Sequence, residues 1–158
     1  MRELDGVRLA TFRSRLAAMA IDGAIVWLAV YVLDALISQL FPGWLPRHPW
    51  LPESPRDLIP FLDSPSASVS GIVFLLYFIV GLRRGRGQTF GKRLLGIRVV
   101  SEQAREMAIG DCIQRTVAYF GLPPFFMWPV QYKTDPNAQT TPDRVGGTVV
   151  IQDGPPAR

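Results

Sequence analysis

The sequence predicts an all-α membrane protein with two transmembrane helices, a third apolar segment broken by prolines (a re-entrant hairpin or a third span) and a short cytoplasmic two-stranded β-ribbon. Three observations predict it. Hydrophobic residues make up 48% of the 158 residues and the mean hydropathy is +0.17, more than a soluble domain of this length ordinarily carries. The excess lies in three stretches, 16–41, 69–82 and 109–132. Two short β-branched runs, 95–100 and 147–152, each with a glycine near its start, stand outside those stretches and read as strands.

The first stretch exceeds the roughly 20 helical residues that cross a hydrocarbon core about 30 Å thick. It is far longer than the apolar core of about 7–15 residues in a cleaved signal peptide, so it reads as a retained span. The second, counted as 64–82 with its small-residue lead, reads as another. Ser64 would be its N-cap and Pro65 its first helical residue, where a missing N–H costs nothing. The third is interrupted by Pro123, Pro124 and Pro129, which remove backbone donors and clash with the preceding turn.

Lys and Arg mark the cytoplasmic side. The N-terminal arm has Arg2, Arg8, Arg13 and Arg15, and segment 83–108 has Arg83, Arg84, Arg86, Lys92, Arg93, Arg98 and Arg105. The proline-rich loop 42–63 has only Arg47 and Arg56, and its Trp44 and Trp50 suit the outer interface. His48 reads as an exposed loop residue there. An isolated strand is unstable, so the two β-branched runs are expected to pair, which puts the tail in the cytoplasm and favours the hairpin. A single domain is expected over 1–158: spans 16–41 and 64–82, outer loop 42–63, basic cytoplasmic segment 83–108, third segment 109–132 and polar tail 133–158.

At about 100° per residue, Arg15 and Asp22 share one helix stripe about two turns apart. An aspartate at mid-span costs about 2.5–3.5 kcal/mol on insertion scales, so something must compensate Asp22. Either it handles a proton or an ion, or it is packing glue while Arg15 snorkels to the headgroups. Direct contact between the two is at the limit of reach, and a water or third group is expected between them. Asp34, rotated about 120° from Asp22, reads as a solvated helix-end acid. Asp111 and Arg115 have the i, i+4 spacing of a same-face ion pair, with Cys112 and Tyr119 beside them as packing residues.

The run RRGRGQTFGKRLLG (83–96) fails the phosphate-loop pattern at both ends, with Arg86 in place of the first glycine and Arg93 after the lysine. It reads as an interfacial element, with Phe90, Leu94 and Ile97 on one side of a short helix. Arg83, Arg84, Arg86, Lys92 and Arg93 then face anionic lipid headgroups, each contributing about 1 kcal/mol. Beside a membrane span, lipid is the expected partner of these cations, not nucleic acid. With one cysteine, Cys112, and one histidine, His48, neither an internal disulfide nor a Cys/His zinc cage can form. No nucleophile with a histidine base and no paired-carboxylate cleft is visible, so neither enzymatic activity nor a cofactor nor a bound metal is expected.

Three blocks resemble the RDD family of small bacterial membrane proteins, named for one arginine and two aspartates. They are RLAAMAID (15–22), GQTFGKRLLGIRVV (87–100), with Gly87, Gly91 and Gly96, and DRVGGTVV (143–150), with Gly147. The chain departs from the family pattern in its last apolar region, which is shorter between Arg115 and Asp143 and carries the Pro-Pro break. The resemblance implies a charge cluster of Arg15, Asp22 and Asp143 in a multi-pass protein of the bacterial plasma (inner) membrane, N-terminus in the cytoplasm. Some members of the family are described as cation/proton antiporters. The resulting expectation is a transporter or transport component for a cation, proton or small solute. Asp22 would exchange, and Arg15 and Asp143 would set its pKa. Two spans cannot enclose a pathway, so a homo-oligomer or another membrane protein is expected in the bilayer. The alternative is a non-transporting scaffold or assembly partner, in which the same three charges lock ribbon and tail onto the first helix.

Overall fold

The computed structural model describes residues 3–4, 6–42, 65–103, 107–119 and 127–153. Trp44, His48, Trp50, the N-cap Ser64 and the bend at 121–126 lie outside them.

A 29-residue helix, α1 (Phe12–Leu40), starts where the Thr11 hydroxyl accepts a hydrogen bond from Ser14 N at 3.2 Å, an N-cap that satisfies one orphan donor. It stops two residues before Pro42, which disfavours helical geometry in its predecessor. With a hydropathy of 2.1 over its best window it is long and apolar enough to cross a membrane. The next helix, α2 (Pro65–Arg84), begins at Pro65 as the sequence implied. It packs along α1.

A turn at 85–88 leads into the short helix α3 (Phe90–Leu94), which lies against α1. Gly87 makes the turn possible: its φ is +89°, and a Cβ there would collide with the carbonyl oxygen of Val99. Strand β3 (Ile97–Ser101) follows and pairs antiparallel with β4 (Thr148–Gln152), from Ile97↔Gln152 to Ser101↔Thr148. This is the ribbon expected from the two β-branched runs, and Gly96 and Gly147 stand immediately before its strands. Ile97 was expected beside Phe90 and Leu94 on a helix. It is instead buried in β3, because α3 ends at Leu94 and Gly96, at φ +60°, turns the chain into the strand.

The N-terminal arm joins the same ribbon. A minimal hairpin, β1 (Glu3–Leu4) and β2 (Val7–Arg8), precedes Leu9, which bridges Ile151, and Ala10 N donates to Val150 O at 2.9 Å. Ala10, Ala18, Leu82, Ile97, Val99, Cys112 and Val150 form the core beneath. Between the two strands of the ribbon the chain makes one excursion through α4 (Ile109–Val117), α5 (Trp128–Thr134) and α6 (Thr141–Val145). The third apolar stretch is therefore not one helix: α4 ends before the Gly-Leu-Pro-Pro sequence.

The helices are built inside out. On α1 the buried residues are Ala18, Asp22 and Val26, while Trp27, Leu28, Tyr31, Val32 and Leu36 are exposed. On α4 the buried face is Cys112, Arg115 and Thr116, and the exposed one carries Ile109, Ile113 and Val117. Polar side chains face inward and large aliphatic ones outward, the reverse of a helix on a water-soluble core.

Candidate functional site

Two buried carboxylates, Asp143 and Asp22, each organise a separate polar centre. Asp143 sits in the first turn of α6, where its Oδ2 accepts from Thr140 N and Thr140 Oγ1, both at 2.8 Å. Its Oδ2 also accepts from Arg15 Nη1 at 3.1 Å, and its Oδ1 from Arg115 Nη1. Three donors converge on Oδ2 and one on Oδ1, and two of the four are guanidiniums. Burial pushes the Asp143 carboxyl up, but the Arg115 and Arg15 guanidiniums outweigh it and hold it below the usual carboxylate range.

Arg15 reaches further than Asp143. Its Nη1 donates to Ala138 O at 2.8 Å, its Nη2 to Val150 O at 3.2 Å and its Nε to Ala10 O at 3.3 Å. The guanidinium lies 5.1 Å from the ring centre of Tyr132, whose hydroxyl donates to the same Ala10 carbonyl. One side chain at the head of α1 thus ties together the arm, the loop before α6, α6 itself and β4. Arg115 Nη1 donates to Thr148 Oγ1 at 2.6 Å as well, so β4 is held from α4 too.

Asp22 is fully buried two turns beyond Arg15 on α1, and its donors come from α2 and from the start of α3. Oδ1 accepts from Tyr77 OH at 2.6 Å and Gly91 N at 2.8 Å, and Oδ2 from Thr89 Oγ1 at 2.5 Å. All three donors are neutral. Gly91 is required at this approach: a Cβ would collide with Ala18 O and lie 3.0 Å from the Asp22 carboxylate. Lys92 completes the centre, its Nζ 3.4 Å from Thr89 Oγ1 and 5.5 Å from the ring centre of Phe78.

The three charges expected to form one cluster therefore divide. Arg15 and Asp143 meet, across 128 residues of sequence. Asp22 does not join them, because seven helical residues put about 10 Å between its Cα and that of Arg15, and the carbonyls of Ala10, Ala138 and Val150 draw the guanidinium the other way. The expected Asp111–Arg115 pair is also replaced: Asp111 Oδ2 accepts from Ala108 N at 2.9 Å, capping α4, and Arg115 turns inward to Asp143. Of the five cations assigned to headgroups, Arg83, Arg84, Arg86 and Arg93 are exposed, but Lys92 is only 6% exposed. Beside them Phe90 and Leu94 are 62% and 64% exposed. Cys112 is in the core, and Asp34 is half-buried near the far end of α1.

Sequence reasoning missed Tyr77, Thr89 and Lys92 as surroundings of Asp22 and Arg115 as a partner of Asp143. The signal for two of them was in the quoted block, where Thr89 and Lys92 flank Gly91. A family model described as the RDD family matches residues 9–147, from the arm that accepts from Arg15 to the turn before β4. The chain belongs to the RDD family. This RDD chain is similar to "Uncharacterized protein YxaI" of Bacillus subtilis (strain 168), at 29% identity over 114 residues, 70% of this chain and 75% of that protein. No solved structure matches it.

Proposed function

We propose that this RDD protein is a multi-pass protein of the bacterial plasma membrane that exchanges a monovalent cation for a proton at Asp22. The Asp143 centre is its structural clamp. The observation that carries this reading is the contrast between the two carboxylates. Asp143 faces two guanidiniums and two donors from Thr140. Asp22 has only neutral donors, two of them hydroxyls that can accept as well as donate. A carboxylate with the Tyr77 and Thr89 hydroxyls is a hard oxygen set, the kind that holds a weakly polarising cation.

The membrane setting is supported by the length of α1 and by the outward-facing aliphatic residues of α1, α2 and α4. If α1 and α2 both cross, the pairing of β3 with β4 speaks against a single third span and supports a re-entrant hairpin. The positive arm and basic segment put the ribbon in the cytoplasm. Arg83, Arg84, Arg86 and Arg93 then lie at the lipid headgroups, and a second copy or another membrane protein encloses the pathway. The reading asks for no covalent chemistry.

A second reading, a non-transporting scaffold or assembly partner, is favoured by the two guanidiniums that lock Asp143. Purified protein in vesicles carrying a pH-sensitive dye separates the two. On imposing a sodium or potassium gradient, wild type is expected to move protons and Asp22→Asn to move none. Equal flux from the two would overturn exchange at Asp22, and no proton movement by wild type would leave the scaffold reading in place.

A further inference from the structure

Helix α3 meets α1 inside the stretch that the membrane reading places in the bilayer. Gly91 abuts the Ala18 carbonyl and the Asp22 carboxylate, which lie three and seven residues beyond Arg15, about 5 and 10 Å further along the helix. Interfacial helices seat their apolar faces at such a depth, about 5–10 Å into the boundary between headgroups and chains. Gly91 and Lys92 are the buried side of α3, and Phe90 and Leu94, one turn apart, are exposed.

The charges mark the same level. On α2, Ile72, Leu76 and Val80 form an exposed apolar row at four-residue spacing, and the next place on that row is Arg84. From 83 to 100 the chain has six cations and no acid. Three of the six are engaged: Lys92 is buried, Arg83 donates to Met107 O at 3.0 Å and Arg98 pairs with Asp153 at 2.7 Å. Arg84, Arg86 and Arg93 are exposed and make no ion pair among the described residues. Arg86 holds its place in the turn at φ +50°, a conformation that glycine adopts more easily.

We infer that α3 is a lever worked by anionic phospholipid of the cytoplasmic leaflet. Headgroups hold Arg84, Arg86 and Arg93, acyl chains receive Phe90 and Leu94, and the seated helix keeps Thr89 and Gly91 on Asp22. This rests on the membrane setting above, and on the exchange reading for its effect on transport. Lipid that binds the seated position and not the lifted one shifts the population toward the seated one. Three exposed cations near an anionic surface favour it by up to about a hundredfold. When α3 lifts from α1, the Thr89 hydroxyl and the Gly91 N–H leave Asp22 together. The charge of the bilayer therefore sets how much of the protein holds an assembled Asp22 centre.

The test uses the full-length protein in nanodiscs of phosphatidylcholine alone, or of equal parts phosphatidylcholine and phosphatidylglycerol. It reads deuterium exchange at the Gly91 amide, whose hydrogen bond to Asp22 requires a seated α3. Phosphatidylglycerol is expected to slow that exchange, by up to about a hundredfold. Arg84→Gln, Arg86→Gln and Arg93→Gln together are expected to abolish the difference between the two lipids. Soluble glycerol phosphate added to phosphatidylcholine discs is expected to leave wild type unchanged. A spin label at Leu94→Cys, in a Cys112→Ala background, is expected to meet lipid-soluble oxygen in the anionic discs. Equal exchange in the two lipids, an undiminished response of the triple variant, slowing by glycerol phosphate, or a label open to a water-soluble relaxant overturns the lever. Should the triple variant fail to fold, the three single variants replace it, and a full lipid response from all three overturns the lever. Proton flux in vesicles of the same two compositions separates this inference from the exchange reading. Flux equal in both, with no change at Gly91, removes the lever and leaves exchange. A response at Gly91 with no flux in either leaves the lipid seat and removes exchange.

Discussion

Two aspartates of nearly equal burial, 1% and 0% exposed, differ in what surrounds them, and that decides what each can do. Asp143→Asn would leave two guanidiniums facing an amide, and breaking a buried ion pair costs about 3–5 kcal/mol. The expected result is a large fall in thermal unfolding temperature in detergent, with exchange by the surviving folded protein intact. Because the native carboxyl of Asp143 is held below its unfolded value, its stabilisation is complete above that unfolded value, about 3.9. It is lost as pH falls through the lower native value. Unfolding temperature should therefore show no step from the clamp near neutrality and a loss below about pH 4 that Asp143→Asn lacks. The meeting of Arg15 and Asp143 was implied by the family resemblance, and the expected pairing of the two β-branched runs put the tail on the side of Arg15. The role of Arg115 was not: its sequence neighbour Asp111 offered a local partner, and only the fold shows that carboxylate spent on capping Ala108 N. Lys92 was hidden for a similar reason, being one cation among several whose burial depends on where α3 comes to rest.

Among the elements, α3 shows how a five-residue helix fixes a site. Its backbone N–H at Gly91 bonds to Asp22 while the same residue presses on the Ala18 carbonyl. Gly91→Ala must move α3 off α1. Overpacking of this kind costs about 1–3 kcal/mol, and exchange should fall further than stability because the Gly91 and Thr89 donors move away from Asp22 together. Helix α4 poses the other question at this scale. Its aliphatic row of Ile109, Ile113 and Val117 points away from the core, so a spin label at Ile113→Cys, in a Cys112→Ala background, should meet lipid-soluble oxygen before a water-soluble relaxant. The opposite preference would remove α4 from the bilayer. That row was part of the apolar excess seen in the sequence. The helix's end at Val117 was foreshadowed by the prolines, and the inward turn of its polar face was not.

Across the whole molecule, the arm before α1 and the strand after α6 share hydrogen bonds, since Ala10 donates to Val150 and Leu9 bridges Ile151. The start of the domain and its last strand therefore lie together, and under the multi-pass reading both are on one side of the membrane. Topology reporters fused at Met1 and at Arg158 should both read cytoplasmic. Opposite signals from the two would break the pairing of arm and tail.

The reach of Arg15 also sets a schedule for the ribosome. Its acceptors Ala138, Asp143 and Val150 follow it by 123, 128 and 135 residues. At about 5–20 residues per second, roughly 7–27 s of synthesis separate the guanidinium from its last partner. For that interval the guanidinium has, of its acceptors, only the Ala10 carbonyl. A product cut short before Ala138 would keep that one acceptor and never gain the Asp143 carboxylate.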